Sequence, residues 1–179
     1  MIRVVVLTGK GRFFSGGGNV QSFVAAGDEV AGLLNRIISP LHAAIGCFSR
    51  MSAPLITAIS GTAAGAGFSL AISGDVVLAA ESAKLTLAYT RIDMSADGGA
   101  SFHLPRIVGP TRAKELMSLN PVLGAVEAKN SRLVTMVVSD FELETKTCDL
   151  GTSLAGNTGN SPEGFAVFAA RRSAKFTGR

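Results

Sequence analysis

A chain of 179 residues with 47% hydrophobic content can bury one sizeable core, which excludes the disordered and fibrous classes. Lys and Arg exceed Asp and Glu by 17 to 13, yet apart from Arg171-Arg172 and Lys175 the cations are scattered, and with no Trp and one Tyr the chain lacks the basic, aromatic face of a nucleic-acid binder. Cys47 and Cys148 have neither metal-ligand spacing nor the number for a disulfide framework, no signal peptide is evident, and no segment approaches the apolar length of a membrane span, so a cytoplasmic protein without membrane contact is expected.

Residues 2–7 form a short apolar run with β-branched side chains, the pattern of a buried strand. The small-residue loop Phe13-Phe14-Ser15-Gly16-Gly17-Gly18-Asn19-Val20 follows it. From Val30 onward Leu33, Leu34, Ile37, Ile38, Leu41, Ala44, Ile45 and Phe48 recur at helical spacing, which predicts an amphipathic helix kinked at Pro40. A second strand over 55–59 leads into the glycine-spaced loop Ser60-Gly61-Thr62-Ala63-Ala64-Gly65-Ala66-Gly67, a short helix over 66–73 and a third strand over 76–80. Strands alternating with helices predict an α/β fold with crossover connections. Periodicity is lost over 86–99, so the stretch from Tyr89 to Gly99 reads as a loop entering a helix, and further helices are expected over 111–119 and 126–132. Beyond Asp140, Gly151, Gly156, Asn157, Gly159 and Asn160 read as loop residues before a last helix over 162–175, with Ser161 as its cap and Pro162 at its first position.

Both small-residue loops close an apolar strand, and backbone N–H groups beside a helix start favour negative charge. Two such loops could bring two N–H groups to one carbonyl oxygen, the arrangement that stabilises an enolate or a tetrahedral oxyanion. Each loop taken alone also fits an ordinary turn or packing glycine cluster.

Val5-Val6-Leu7-Thr8-Gly9, Phe14-Ser15-Gly16-Gly17-Gly18, residues 58–71, Gly74-Asp75-Val76-Val77-Leu78-Ala79 and Leu104-Pro105-Arg106-Ile107-Val108-Gly109 occur in an order that resembles the crotonase superfamily of enoyl-CoA hydratases and isomerases. The likeness runs over about residues 4–143. It implies the ClpP-like α/β fold, a repeated ββα spiral flanked by helices, with a core over 1–140 and a C-terminal helical segment over 141–179. Members of the family are longer, so strands before Ile2 and a closing helical region are expected to be missing here. The resemblance also implies an acyl-CoA substrate, with coenzyme A entering only as part of it, no metal or redox cofactor, and homotrimers often paired into hexamers.

Carried over residue by residue, the resemblance places the oxyanion donors at the N–H groups of Gly18 and Ala66, with Gly65 and Gly67 allowing close approach and Gly17, Gly65 and Gly67 expected to contact the substrate. Hydratases of the family carry catalytic glutamates where this chain has Ser69 and Tyr89, so hydration by two glutamates is not expected. Asp97, in Asp97-Gly98-Gly99-Ala100-Ser101, stands where isomerase and dehalogenase members carry an aspartate, and a carboxylate in an apolar pocket suits proton abstraction from carbon. Asp97 also fits a helix N-cap. Tyr89 fits either packing or a hydrogen bond in the acyl pocket, Ser69 a packing position that could touch substrate, and His103 a place at the pocket. His42 reads as structural, Asp75 as a structural hydrogen-bond acceptor, Asp93 as an alternative base and Glu81 as solvent-facing.

Three functions therefore compete: an enoyl-CoA isomerase with Asp97 as base, another acyl-CoA activity, either thioesterase-like or with Asp97 as a nucleophile as in dehalogenase relatives, and a silent CoA-ligand binder. A dinucleotide-binding reading of the glycine loop fails, because it lies far from the N-terminus and Tyr89 is followed four residues on by Asp93 rather than lysine. A phosphate-binding P-loop fails too, since no Gly-Lys-Ser/Thr closes either loop.

Overall fold

The computed structural model describes residues 2–157, in which short parallel strands alternate with helices. The strands are β1 (Val5–Thr8), β2 (Phe13–Ser15), β3 (Leu55–Ile59), β4 (Thr62–Ala64), β5 (Val76–Ala80), β6 (Lys84–Thr86), β7 (Leu123–Gly124) and β8 (Met136–Val138). The helices are α1 (Val20–Ala26), α2 (Val30–Arg50), α3 (Ala66–Ala71), α4 (Ala100–Val108), α5 (Pro110–Leu119), α6 (Ala125–Asn130) and α7 (Leu143–Asn157).

As far as β6, successive strands alternate between two sheets, one with the order β1-β3-β5-β8 and the other β2-β4-β6-β7. Each spiral turn thus adds one strand to each sheet. All pairs are parallel except β6 with β7. The expected apolar runs account for β1, β3 and β5, and β3 is buried along its whole length, as a central parallel strand covered on both faces must be. Its one hydroxyl is satisfied, since Thr57 Oγ1 donates to the Ala71 carbonyl at 2.7 Å.

One core cluster joins Ile59, Phe68, Leu85, Leu104, Leu116 and Leu133. A second, around Ile56, Leu78 and Val138, is covered by Leu150 and Leu154 of α7. That helix corrects the expectation of a loop around Gly151 and Gly156. The added Cβ at Gly151 would lie 3.8 Å from Ile56 Cδ1, so the glycine sits on the face that α7 presses against β3, and packing outweighs its weak helix propensity. The expected helix over 162–175 lies outside the described residues.

The amphipathic helix is α2, which continues through Pro40. Pro40 and Arg36, whose carbonyl loses its helical partner, are both exposed, so water can replace the missing bond. The expectation that no segment could span a membrane needs correcting. The helical stretch Val20–Arg50 is long and apolar enough by length and composition, at a mean hydropathy of 1.3. Its apolar stripe Leu34, Ile37, Ile38 and Leu41 faces a cavity of the domain.

Candidate active site

Because β2, β4 and β6 are parallel neighbours, the chain leaves all three at the same edge of their sheet. The loop after β2 carries Gly16, Gly17 and Gly18, the loop after β4 carries Gly65 at the start of α3, and the segment after β6 carries Ala88 and Tyr89. These segments, α2 and Asp97 enclose a cavity of about 410 Å³. Its wall includes Gly17, Gly18, Gly65, Ala66, Tyr89 and Asp97, and is otherwise mainly apolar, with Phe23, Leu34, Ile38, Leu41 and Met94.

The two glycine loops touch. A Cβ at Gly17, whose φ is +82°, would lie 2.7 Å from the Ala64 carbonyl oxygen and 3.1 Å from the Ala66 nitrogen, so only glycine permits this approach. Below them, a Cβ at Gly67 would meet the Ser15 carbonyl oxygen at 2.2 Å, which lets α3 sit against β2. Neither the Gly18 nor the Ala66 N–H donates a hydrogen bond among the described residues, whereas the Gly17 N–H is taken by Ser15 Oγ at 3.3 Å. The wall therefore contains two unused main-chain donors on adjoining loops.

Asp97 is not a helix cap. The residue preceding α4 is Gly99, in a left-handed conformation, and no side chain caps this helix. The Asp97 main-chain carbonyl accepts from the Ala100 N–H at 2.9 Å and from Ser69 Oγ at 2.8 Å. Its carboxylate Oδ1 accepts from the Tyr89 hydroxyl at 2.6 Å, and that hydroxyl lies 2.9 Å from Ser69 Oγ. Tyr89 thus combines the two roles left open for it: the ring is buried in the core and the hydroxyl holds the carboxylate. Burial, with the neighbouring Asp97 charge, pushes the Tyr89 phenol well above its ordinary range, so it stays protonated.

Three expected substrate contacts do not line the cavity. Ser69 is fully buried behind Tyr89, Gly67 lies under Ser15, and His103 turns toward Gly99 and stacks edge-on against Phe102 at 5.1 Å. Burial, and then the charge of Arg106, lower the His103 pKa, keeping the ring neutral near pH 7. Asp93 is exposed and lies outside the cavity wall, Glu81 is exposed, and Asp75 Oδ2 accepts the Leu55 N–H at 2.8 Å, the structural role expected of it.

His42 has the structural role read for it from the sequence, which did not show the contact it makes, and Arg91 was not singled out at all. His42 Nε2 accepts the Gly98 N–H at 3.1 Å, so α2 anchors the turn that carries Asp97. Its spacing from Ile38 and Ile45 was the available signal. Arg91 lines the cavity and donates from Nη2 to the Asn120 carbonyl at 3.1 Å. Among the described residues, no three His, Cys, Asp or Glu side chains gather as metal ligands would.

The family profile described as enoyl-CoA hydratase/isomerase matches residues 1–177. A 1,2-epoxyphenylacetyl-CoA isomerase of Escherichia coli is 30% identical over 218 residues, spanning 99% of this chain and 82% of the relative. A Rhodobacter capsulatus protein described as a probable enoyl-CoA hydratase is 38% identical over 79% of this chain, and a 4-chlorobenzoyl coenzyme A dehalogenase of an Arthrobacter species 30% identical over 86%. The chain spans only 54% and 56% of those two relatives. The crystal structure of an enoyl-CoA hydratase from Polaromonas superposes with a TM-score of 0.86 at 29% identity, over 97% of this chain and 81% of that one. Spiral topology, adjoining glycine loops and matched profile agree, and the chain belongs to the enoyl-CoA hydratase/isomerase family, with the crotonase fold.

Proposed function

We propose that this chain is an enoyl-CoA double-bond isomerase that stabilises a thioester enolate. The observation that carries the reading is the placement of the Asp97 carboxylate in the same cavity wall as the two free N–H groups of Gly18 and Ala66. Those donors would hold the thioester oxygen as it gains charge, each contributing on the order of 3 kcal/mol to lowering the barrier. Asp97 would remove a proton from one carbon of the acyl chain and return it at another. Serine and tyrosine at positions 69 and 89 leave no glutamate pair for adding water, and the Escherichia coli relative named as an isomerase supports the same direction.

No metal or redox cofactor has a part in this chemistry, since the enolate charge is met by main-chain donors and the proton by a carboxylate. The reading includes a cytoplasmic location and a homotrimer or hexamer, which light scattering of the purified protein would test. A second reading, nucleophilic attack by Asp97, is favoured by the likeness to the dehalogenase; a covalent ester trapped at Asp97 would establish it.

Incubation with a panel of enoyl-CoA thioesters, with hydrated and isomerised products measured separately, tests the proposal. Isomerised product should dominate, and dominant hydration would overturn the reading. Asp97→Asn should lower turnover by about a hundred- to ten-thousand-fold while leaving acyl-CoA binding intact. Unchanged turnover in that variant would remove Asp97 from the mechanism.

A further inference from the structure

Counting protons around Asp97 shows how its two carboxylate oxygens differ. Three short oxygen contacts meet there: Tyr89 Oη to Asp97 Oδ1 at 2.6 Å, Ser69 Oγ to Tyr89 Oη at 2.9 Å, and Ser69 Oγ to the Asp97 carbonyl at 2.8 Å. The two hydroxyls supply only two protons. A carbonyl can only accept, so the Ser69 proton goes to Asp97 O, and the Tyr89 proton must choose between a carboxylate and a serine oxygen. The charged acceptor at the shorter distance wins. The phenol, resistant to ionisation in its buried position, keeps that proton in place. Asp97 Oδ2, by contrast, has no hydrogen-bond partner among the described residues and is not sealed from solvent, while its residue lines the cavity.

We infer that Tyr89, backed by Ser69, is a positioning residue that occupies Oδ1 and leaves Oδ2 as the one oxygen that takes and returns the substrate proton. The inference rests on the isomerase reading for its chemistry. In the first step the substrate C–H bond breaks, its electron pair passes into the thioester enolate, and the proton goes to Oδ2. In the second the enolate collapses, a new C–H bond forms at the other carbon with the proton from Oδ2, and the carboxylate is regenerated. With Oδ1 blocked, the proton stays on the atom that faces the substrate, and most of it is delivered to product before solvent exchanges it. The backbone of this turn is also held by the Gly98 N–H bond to His42 on α2. The carboxylate is therefore fixed at both its main chain and its side chain.

Two measurements test the clamp, one needing no turnover. Tyr89 is the sole tyrosine and the chain has no Trp, so near-ultraviolet absorption reads this phenol directly. A phenol donating to a carboxylate absorbs at longer wavelength than one donating to a neutral group, so Asp97→Asn should move the folded protein's band to shorter wavelength. An unmoved band overturns the clamp whatever the enzyme's reaction proves to be. With an enoyl-CoA that the wild type isomerises in heavy water, Tyr89→Phe should lower kcat by about tenfold or more, leave KM little changed and raise the deuterium content of the product. Ser69→Ala should shift deuterium content the same way to a smaller extent. Unchanged kcat and deuterium content in Tyr89→Phe also overturn the inference, whereas a panel in which no enoyl-CoA is isomerised, with the band shift present, rejects the isomerase reading and leaves the clamp standing.

Discussion

Tyr89 shows how one side chain can satisfy two demands that look exclusive in sequence. Its ring belongs to the core cluster that includes Leu104 and Phe68 while its hydroxyl reaches Asp97, so removing the hydroxyl and removing the ring are different experiments. The raised phenol pKa carries a stability signature with a definite sign. The unfolded chain loses the tyrosine proton near the ordinary value of 10.0, but the folded chain holds it to higher pH. Stability from this group is therefore fully present below pH 10.0 and lost as the pH rises above it. Spectrophotometric titration should show phenolate forming only together with unfolding, and Tyr89→Phe should remove this part of the alkaline loss. A phenolate that forms reversibly near pH 10.0 in the folded protein would contradict the burial described here.

At the scale of elements, two glycines in helices make opposite predictions. Gly67 in α3 has no room for a methyl group, because an added Cβ would lie 2.2 Å from the Ser15 carbonyl oxygen, and Gly67→Ala should cost on the order of 2 kcal/mol and separate α3 from β2. Gly151 in α7 has ordinary contact distance to Ile56, so Gly151→Ala should stabilise by about 0.5–1 kcal/mol through helix propensity. Urea unfolding of both variants checks the pair. The same contrast explains what the sequence made legible. Long apolar runs such as Leu55–Ile59 and the helical spacing of α2 are read directly, because burial on a regular element imposes a period. The strands β2, β4, β6, β7 and β8 have two or three residues each, too few for any period, and exist because a neighbouring strand pairs with them. Asp97 and the two glycine loops were legible through family motifs in order, while the contact of His42 with the Asp97 turn was not, since it depends on how α2 lies across residues distant in the chain.

For the whole molecule, the site is a product of the spiral rather than of any one segment. Parallel pairing of β2, β4 and β6 delivers three loops to one edge, and α2 covers them with Leu34, Ile38 and Leu41. Shape and polarity follow together: an apolar lining with Asp97 and Arg91 as its charged side chains suits an acyl chain whose reactive end needs polar contacts.

The cavity wall is drawn from residues 15–23, 34–41, 65–70 and 88–97, so no partly unfolded form that has released one of these stretches retains a complete receptor. Ligand free energy should therefore be distributed across the molecule. An acyl-CoA that binds should slow amide hydrogen exchange in β3 and β5, remote from direct contact, as well as in the loops, and a protection confined to the loops would show that the stretches open independently.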